Sequence, residues 1–326
     1  MSDAALKVVC DNLDRLVTAP LRTLGHPRAA YVPKLYRKAR AMYRTPITWR
    51  AARLILDHPG SRVAVVSGTY NPVHFPGGET DGPIGAAVVG RVLAQLGHRV
   101  TFCCERQIEP AMRRFAEIAG APFDFEGLTL GDPFGHAALA ARFDGAVFIE
   151  KIGTNRKGVH HTSSGLSSDT DDADLSGFVR EMNDAGKWSI GLGDGGNEIG
   201  FGVIEQTVRK LVRYGDACRC PCGGGIATSL ATTVCFPCAI SNWGAYAILA
   251  ALALIRKDPS LLHAPGKELE LLAAAPGVGC FEGTVAKSKP YIDAVPPEGS
   301  AAMVQLLRSM IDVAYGETIP LDQRTY

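Results

Sequence analysis

Beyond residue 61 the chain alternates between short apolar runs and longer helix-like segments. The runs 63–66, 99–103, 146–149, 188–192 and 232–240 read as strands. The segments 83–96, 109–119, 136–142, 175–185, 197–212 and 243–255 read as helices. Such alternation predicts βαβ units and a mostly parallel sheet. Crossovers between parallel strands are almost always right-handed, so the expected fold is α/β: a Rossmann-like, doubly wound sheet with helices on both faces. A closing helix over 299–313 follows the turn Val295-Pro-Pro-Glu298. Residues 1–60 are helical in pattern and basic, with helices expected at 36–43 and 48–56 between Pro20, Pro27, Pro33 and Pro46. The expected division is a helical N-terminal extension over 1–60, packed on the main domain or joining subunits, and an α/β domain over 61–326.

Open α/β sheets hold ligands beyond the carboxyl ends of their strands. Four marked loops fall there: 68–82, 150–158, 193–200 and 241–244. The first contains Gly77-Gly-Glu-Thr-Asp-Gly-Pro83, the second begins in Phe148-Ile-Glu-Lys151, and the third is Gly193-Asp-Gly-Gly-Asn-Glu-Ile-Gly200. Chain order alone therefore brings Glu79, Asp81, Glu150, Asp194 and Glu198 to one edge of the sheet. Converging carboxylates need a cation, raised pKa values or a basic ligand. Hard oxygen donors suit Mg²⁺, Mn²⁺ or Ca²⁺. Asp81 and Asn197, taken singly, also fit as helix caps. The glycine-rich loop departs from the dinucleotide spacing G-x-G-x-x-G, and its acids would oppose a phosphate, so no nucleotide is expected.

Composition narrows the partners. With a net charge of +1 the chain shows no basic stripe for nucleic acid. The N-terminus lacks the basic start and apolar core of a secretory signal. Nine cysteines in a chain of this length imply reduced thiols and a cytoplasmic location. Residues 221–255 carry no charge, yet the unbroken apolar piece 245–255 falls short of the roughly 20 residues that cross a bilayer. A buried strand and helix are expected there, not a membrane span.

After Glu150 the chain turns basic, with Lys151, Arg156, Lys157, His160 and His161. Cations beside carboxylates suit a small substrate bearing both signs, such as an amino acid or its lactam. An exposed basic loop is the plainer reading of Arg156 and Lys157. Cys218-Arg-Cys-Pro-Cys222 and Cys235-Phe-Pro-Cys238 raise zinc, but C-x-C-x-C is not the usual knuckle spacing, and Cys235 and Cys238 lie in an apolar strand. Zinc is set aside on that ground. Cys222, just before a glycine triplet, is a slightly better candidate as a catalytic thiol. Asp169-Thr-Asp-Asp-Ala-Asp174 lacks the glycine and distal Glu of a calcium loop and reads as a turn and helix cap.

Taken together, these motifs resemble the D-glutamate cyclase-like C-terminal domain family. The resemblance rests on Gly78-Glu-Thr-Asp-Gly-Pro83 with Gly85-Ala86, Ile149-Glu-Lys-Ile-Gly153 with Gly158, the 193–200 loop with Gly202, and Ser241-Asn-Trp-Gly-Ala-Tyr246, in that order. Tyr291-Ile-Asp-Ala-Val-Pro fits more loosely, where a Val-Asp-Gly-like turn is expected. The family takes its name from an enzyme that cyclises D-glutamate to 5-oxo-D-proline with loss of water, and that carries this domain behind a separate module. The resemblance implies a carbon–oxygen hydro-lyase. Glu79, Asp81, Asp194 and Glu198 would hold the metal, and Glu150 or His160 would carry the proton. Lys151 would meet the α-carboxylate, while Arg156, Asn197 and Asn242 would bind or orient substrate. The alternatives are a metal-dependent hydrolase of a small amide or phosphate ester, and a non-catalytic module binding an amino acid or metal. A homo-oligomer is compatible with either.

Overall fold

The computed structural model describes residues 2–22, 27–284 and 289–316. In chain order its elements are α1 (Asp3–Thr18), α2 (Pro27–Tyr43), α3 (Ile47–Leu56), β1 (Arg62–Ser67), α4 (Pro83–Gln95), β2 (Arg99–Glu105), α5 (Glu109–Ala119), β3 (Phe125–Leu128) and α6 (Pro133–Leu139). They continue with β4 (Gly145–Ile149), α7 (Ser176–Asp184), β5 (Trp188–Gly193), α8 (Glu205–Leu211), β6 (Val234–Pro237), α9 (Ser241–Arg256), α10 (Pro265–Ala274) and α11 (Pro297–Tyr315).

The strands form one sheet in the order β3-β2-β1-β4-β5-β6, with every pairing parallel. The order reverses between β1 and β4. This is the switch point at which the two flanking loops part and leave a crevice. Alternate residues of β1 face opposite sides: Val63 and Val65 pack with Ile84, Val88 and Leu249, whereas Ala64 and Val66 pack with Phe148, Phe178 and Met182. The doubly wound α/β expectation is met.

The uncharged stretch resolves as β6 and α9. Helix α9 is apolar on all sides because α1, α3, α4 and α11 surround it. No helix among the described residues is long and apolar enough to cross a membrane.

Three local expectations are corrected. Residues 197–204 of the expected 197–212 helix form loop and a short 3-10 turn, since the glycines at 193, 195, 196 and 200 favour a folded loop, and α8 starts only at Glu205. The strand expected over 232–240 shortens to β6, ending at Pro237. Strand β3 escapes the pattern because it is a half-buried edge strand of four residues, with Glu126 and Gly127 inside it.

Helices α1 and α3 share the main core with the sheet. A buried carboxylate joins them: Asp14 on α1 accepts from the backbone N–H groups of Ile47 (2.6 Å) and Thr48 (2.9 Å), from the Thr48 hydroxyl (2.6 Å) and from Tyr36 (3.0 Å). Pro46 precedes α3 and offers no side-chain cap, so Asp14 caps α3 from another helix. Asp14→Ala strands several buried donors, and a loss of about 3 kcal/mol in unfolding free energy is expected by urea titration. A loss below about 1 kcal/mol would show that water replaces the carboxylate.

Candidate active site in the acidic crevice

The crevice beyond β1, β4 and β5 opens into a cavity of about 570 Å³ whose lining includes Arg28, Glu79, Glu150, Asn197, Glu282 and Asp293. Its walls are held by a clasp between the first turns of α4 and α9. Asp81 accepts from the backbone N–H of Ser241 and of Asn242, both at 2.8 Å. Asn242 answers by accepting from Gly82 (2.9 Å) and Gly85 (3.0 Å) and donating to the Thr80 carbonyl (3.0 Å). Asp81 therefore caps α9, and Asn242 secures the 80–85 loop.

Glu150 follows β4 with φ at 50°, a left-handed conformation costly for a residue with a long side chain. That turn aims its carboxyl into the crevice, where Ser241 Oγ donates to it. Glu198 folds the next loop around itself, accepting from the N–H groups of Asp194 (3.3 Å), Gly195 (2.6 Å) and Gly196 (2.7 Å). A Cβ at Gly195 would lie 2.4 Å from Asn197 Oδ1 and 2.8 Å from Glu198 Oε1, so a side chain there would have to displace both groups.

Asp194, at the end of β5, is the hub. Arg22 and Arg28 both donate to its Oδ2. Arg22 also reaches Asp293 at 2.5 Å and the Ala239 carbonyl at 2.9 Å. The other oxygen of Asp194 is buried and, among the described residues, has no hydrogen-bond partner; the same holds for Asn197 Oδ1. Asp81, Asp194 and Asp293 form one carboxylate triad and Glu150, Asp194 and Glu198 another, each with oxygens within 4.8 Å of one another. Orphaned oxygens among clustered carboxylates fit a hard divalent cation.

The charge has a price in ionisation. Burial, reinforced by Asp293, pushes Glu79 well above the usual carboxylate range. Burial, reinforced by Asp194 and Glu198, does the same to Glu150. Asp81 is pushed up to about 7, chiefly by burial. Burial also raises Asp194, against the pull of Arg28 and Arg22. Asp293 goes the other way: burial opposes ionisation, but Arg22 and Arg28 hold its carboxyl below the usual value.

The remaining predicted residues lie elsewhere. Lys151 is fully buried with its ammonium on Glu105 and 3.8 Å from Asp172, turned away from the cavity. His160 is tied through Nδ1 to Asp169 at 3.0 Å, and burial lowers its pKa. Arg156 pairs with Glu205 at 2.7 Å. None of the three lines the cavity. Pattern reading passed over Arg22, Arg28, Glu282 and Asp293. The available signals were the basic character of the first segment and the loosely matching Tyr291-Ile-Asp-Ala-Val-Pro turn.

Comparison with known proteins places this arrangement. The family described as "D-glutamate cyclase-like, C-terminal" matches residues 34–308. The chain belongs to that family. The D-glutamate cyclase-like fold unit also matches human mitochondrial D-glutamate cyclase, at 28% identity over 231 residues. That match covers 63% of this chain but only 34% of the human enzyme, so the chain spans about a third of that relative's length. Among solved structures, a variant actinorhodin polyketide ketoreductase with NADPH aligns over 76% of this chain and 90% of its own, at 14% identity and a TM-score of 0.27. A superposition that loose carries no argument.

Carboxylates must ionise to hold a cation, so binding should release protons. Burial and the neighbouring carboxylates make Glu79 hold its proton to higher pH than an ordinary carboxylate, and burial raises Asp194 in the same direction. Mn²⁺ affinity measured by calorimetry should therefore fall as pH is lowered. Heats that vary with the buffer's ionisation enthalpy would register the released protons. An affinity independent of pH would mean that these carboxylates do not bind the ion.

Proposed function

We propose that the acidic crevice is a catalytic site for cyclising a small acidic amino acid, with D-glutamate as substrate and 5-oxo-D-proline and water as products. The observation that carries this reading is the pairing, in one cavity, of an arginine with carboxylates whose pKa values have been driven apart. Arg28 presents cationic N–H groups beside Glu79, Glu150 and Asp293. Such a wall complements a zwitterion with an additional carboxylate, and membership of the D-glutamate cyclase-like family supports this reading of the reaction class.

In the reaction the substrate's amino nitrogen attacks its own γ-carboxyl carbon. One C–N bond forms and one C–O bond breaks. The ammonium gives up two protons, and both leave on the departing oxygen as water. A divalent cation bound among Glu79, Asp194 and Asp293 would supply Lewis acidity toward the γ-carboxylate. Glu150 is suited to move the proton, because burial places its pKa above the usual range and its side chain faces the cavity. Arg28, whose guanidinium lines the cavity, supplies the positive charge that faces the α-carboxylate. Asn197 orients substrate through the Oδ1 that has no partner among the described residues. Lys151, assigned to the α-carboxylate by motif, is committed to Glu105 instead.

The test is chiral chromatography of D-glutamate incubated with purified protein and Mg²⁺, Mn²⁺ or Ca²⁺. Formation of 5-oxo-D-proline is expected, with turnover falling roughly 10²–10⁴-fold in Glu150→Gln, the range for loss of a general acid–base group. No product from folded, metal-loaded protein would remove this catalysis from the chain by itself.

A further inference from the structure

A second cluster of ligand atoms lies outside the acidic cavity, where His161 meets the three cysteines of the C-x-C-x-C segment. His161 Nε2 is 3.2 Å from Cys220 Sγ and 3.5 Å from Cys222 Sγ. Cys218 Sγ is 3.5 Å from Cys220 Sγ and 3.4 Å from Cys222 Sγ. All four atoms fall within 4.8 Å of one another. The sulfurs are too far apart for disulfides, whose S–S bond is about 2.05 Å, and all three cysteines are free. A tetrahedral ion with bonds of about 2.3 Å to sulfur and about 2.0 Å to nitrogen has ligand–ligand edges of roughly 3.5–3.8 Å. The observed edges already approach that figure.

We infer that His161, Cys218, Cys220 and Cys222 form a structural zinc site of the Cys₃His type. Four protein ligands satisfy a tetrahedral ion and leave no open position, which is the mark of a structural centre. Thiolate and imidazole select zinc over the hard ions that suit the carboxylate cavity. Supporting contacts are in place. His161 Nδ1 lies 3.1 Å from the Val159 carbonyl, so a proton there leaves the Nε2 lone pair facing the sulfurs. Cys222 Sγ accepts from the Gly224 N–H at 3.3 Å and from Asn155 Nδ2 at 3.6 Å, contacts that stabilise a thiolate. Spacing along the chain hid the site, because the fourth ligand is supplied by a loop far upstream.

The centre also has a structural purpose. Thr162, Ser163 and Ser164 directly follow His161 and line the acidic cavity, while the His161 carbonyl accepts from Asn197 at 2.8 Å. A metal at His161 would pin that cavity wall to the 218–222 segment. The inference does not depend on what reaction the cavity performs.

The test starts with wild-type protein purified under reducing conditions without chelator. Elemental analysis should find about one zinc per chain, released to a chromogenic chelator only after a thiol-modifying mercurial is added. Replacement by Co²⁺ should produce the d–d and thiolate charge-transfer bands of a tetrahedral cobalt–thiolate centre, which Mg²⁺-type carboxylate binding cannot give. Cys222→Ser and His161→Ala should lose the tightly held zinc, Cys235→Ser should keep it, and His161→Cys should keep the tetrahedral bands with added thiolate absorption. The inference is overturned if folded wild-type protein supplied with zinc holds none and shows no cobalt–thiolate bands. It is equally overturned if Cys235→Ser loses the metal as fully as Cys222→Ser.

Discussion

The cavity depends on the neutralisation of Asp194. A carboxylate fully buried at the end of a central strand is tolerated only if cations come to it. Here they come from the first segment of the chain, as Arg22 and Arg28, and Asp293 from beyond α10 completes the cluster. The lead-in and the tail are thereby drawn over the carboxyl edge of the sheet. Removing one partner would leave charge stranded in a low-dielectric interior, so the crevice depends on Arg22, Arg28 and Asp293 together.

Around that hub the acidic residues divide by what their oxygens already do. Asp81 and Glu198 spend theirs on backbone N–H groups, one capping α9 and the other folding the 193–200 loop. Glu79, Glu150 and Asp293 line the cavity. A helix cap and a metal ligand are written with the same residue types, and only the direction of the surrounding N–H groups separates them. The first kind builds the loops that hold the second kind close together despite their mutual repulsion. Burial and neighbouring carboxylates raise Glu79 and Glu150 despite the pull of Arg28, while Arg22 and Arg28 together hold Asp293 down.

Much of the scaffold was legible in the chain itself. Hydrophobic period and strand length marked five of the strands, and chain order with right-handed crossovers put the loops after β1, β4 and β5 on one edge. That chain order alone brings Glu79, Asp81, Glu150, Asp194 and Glu198 to one edge of the sheet. The edge strand β3 and the loop at 197–204 escaped, because a four-residue half-buried strand has little period and a glycine-rich loop can masquerade as the start of a helix.

Partner choice was another matter. Lys151 sits next to Glu150 in sequence, yet both lie past the end of β4, and after the left-handed turn at Glu150 the lysine pairs with Glu105 instead of lining the cavity. The arginine–aspartate hub and the His161–cysteine cluster join residues separated by long stretches of chain, which no local spacing rule connects. Local pattern therefore determined the sheet, its switch point and the acidic loops, because these follow from short-range period and connection rules. Which charges meet, which carboxylates cap and which face open space were decided only by tertiary packing, since burial fixes a charge's partner through distance in three dimensions.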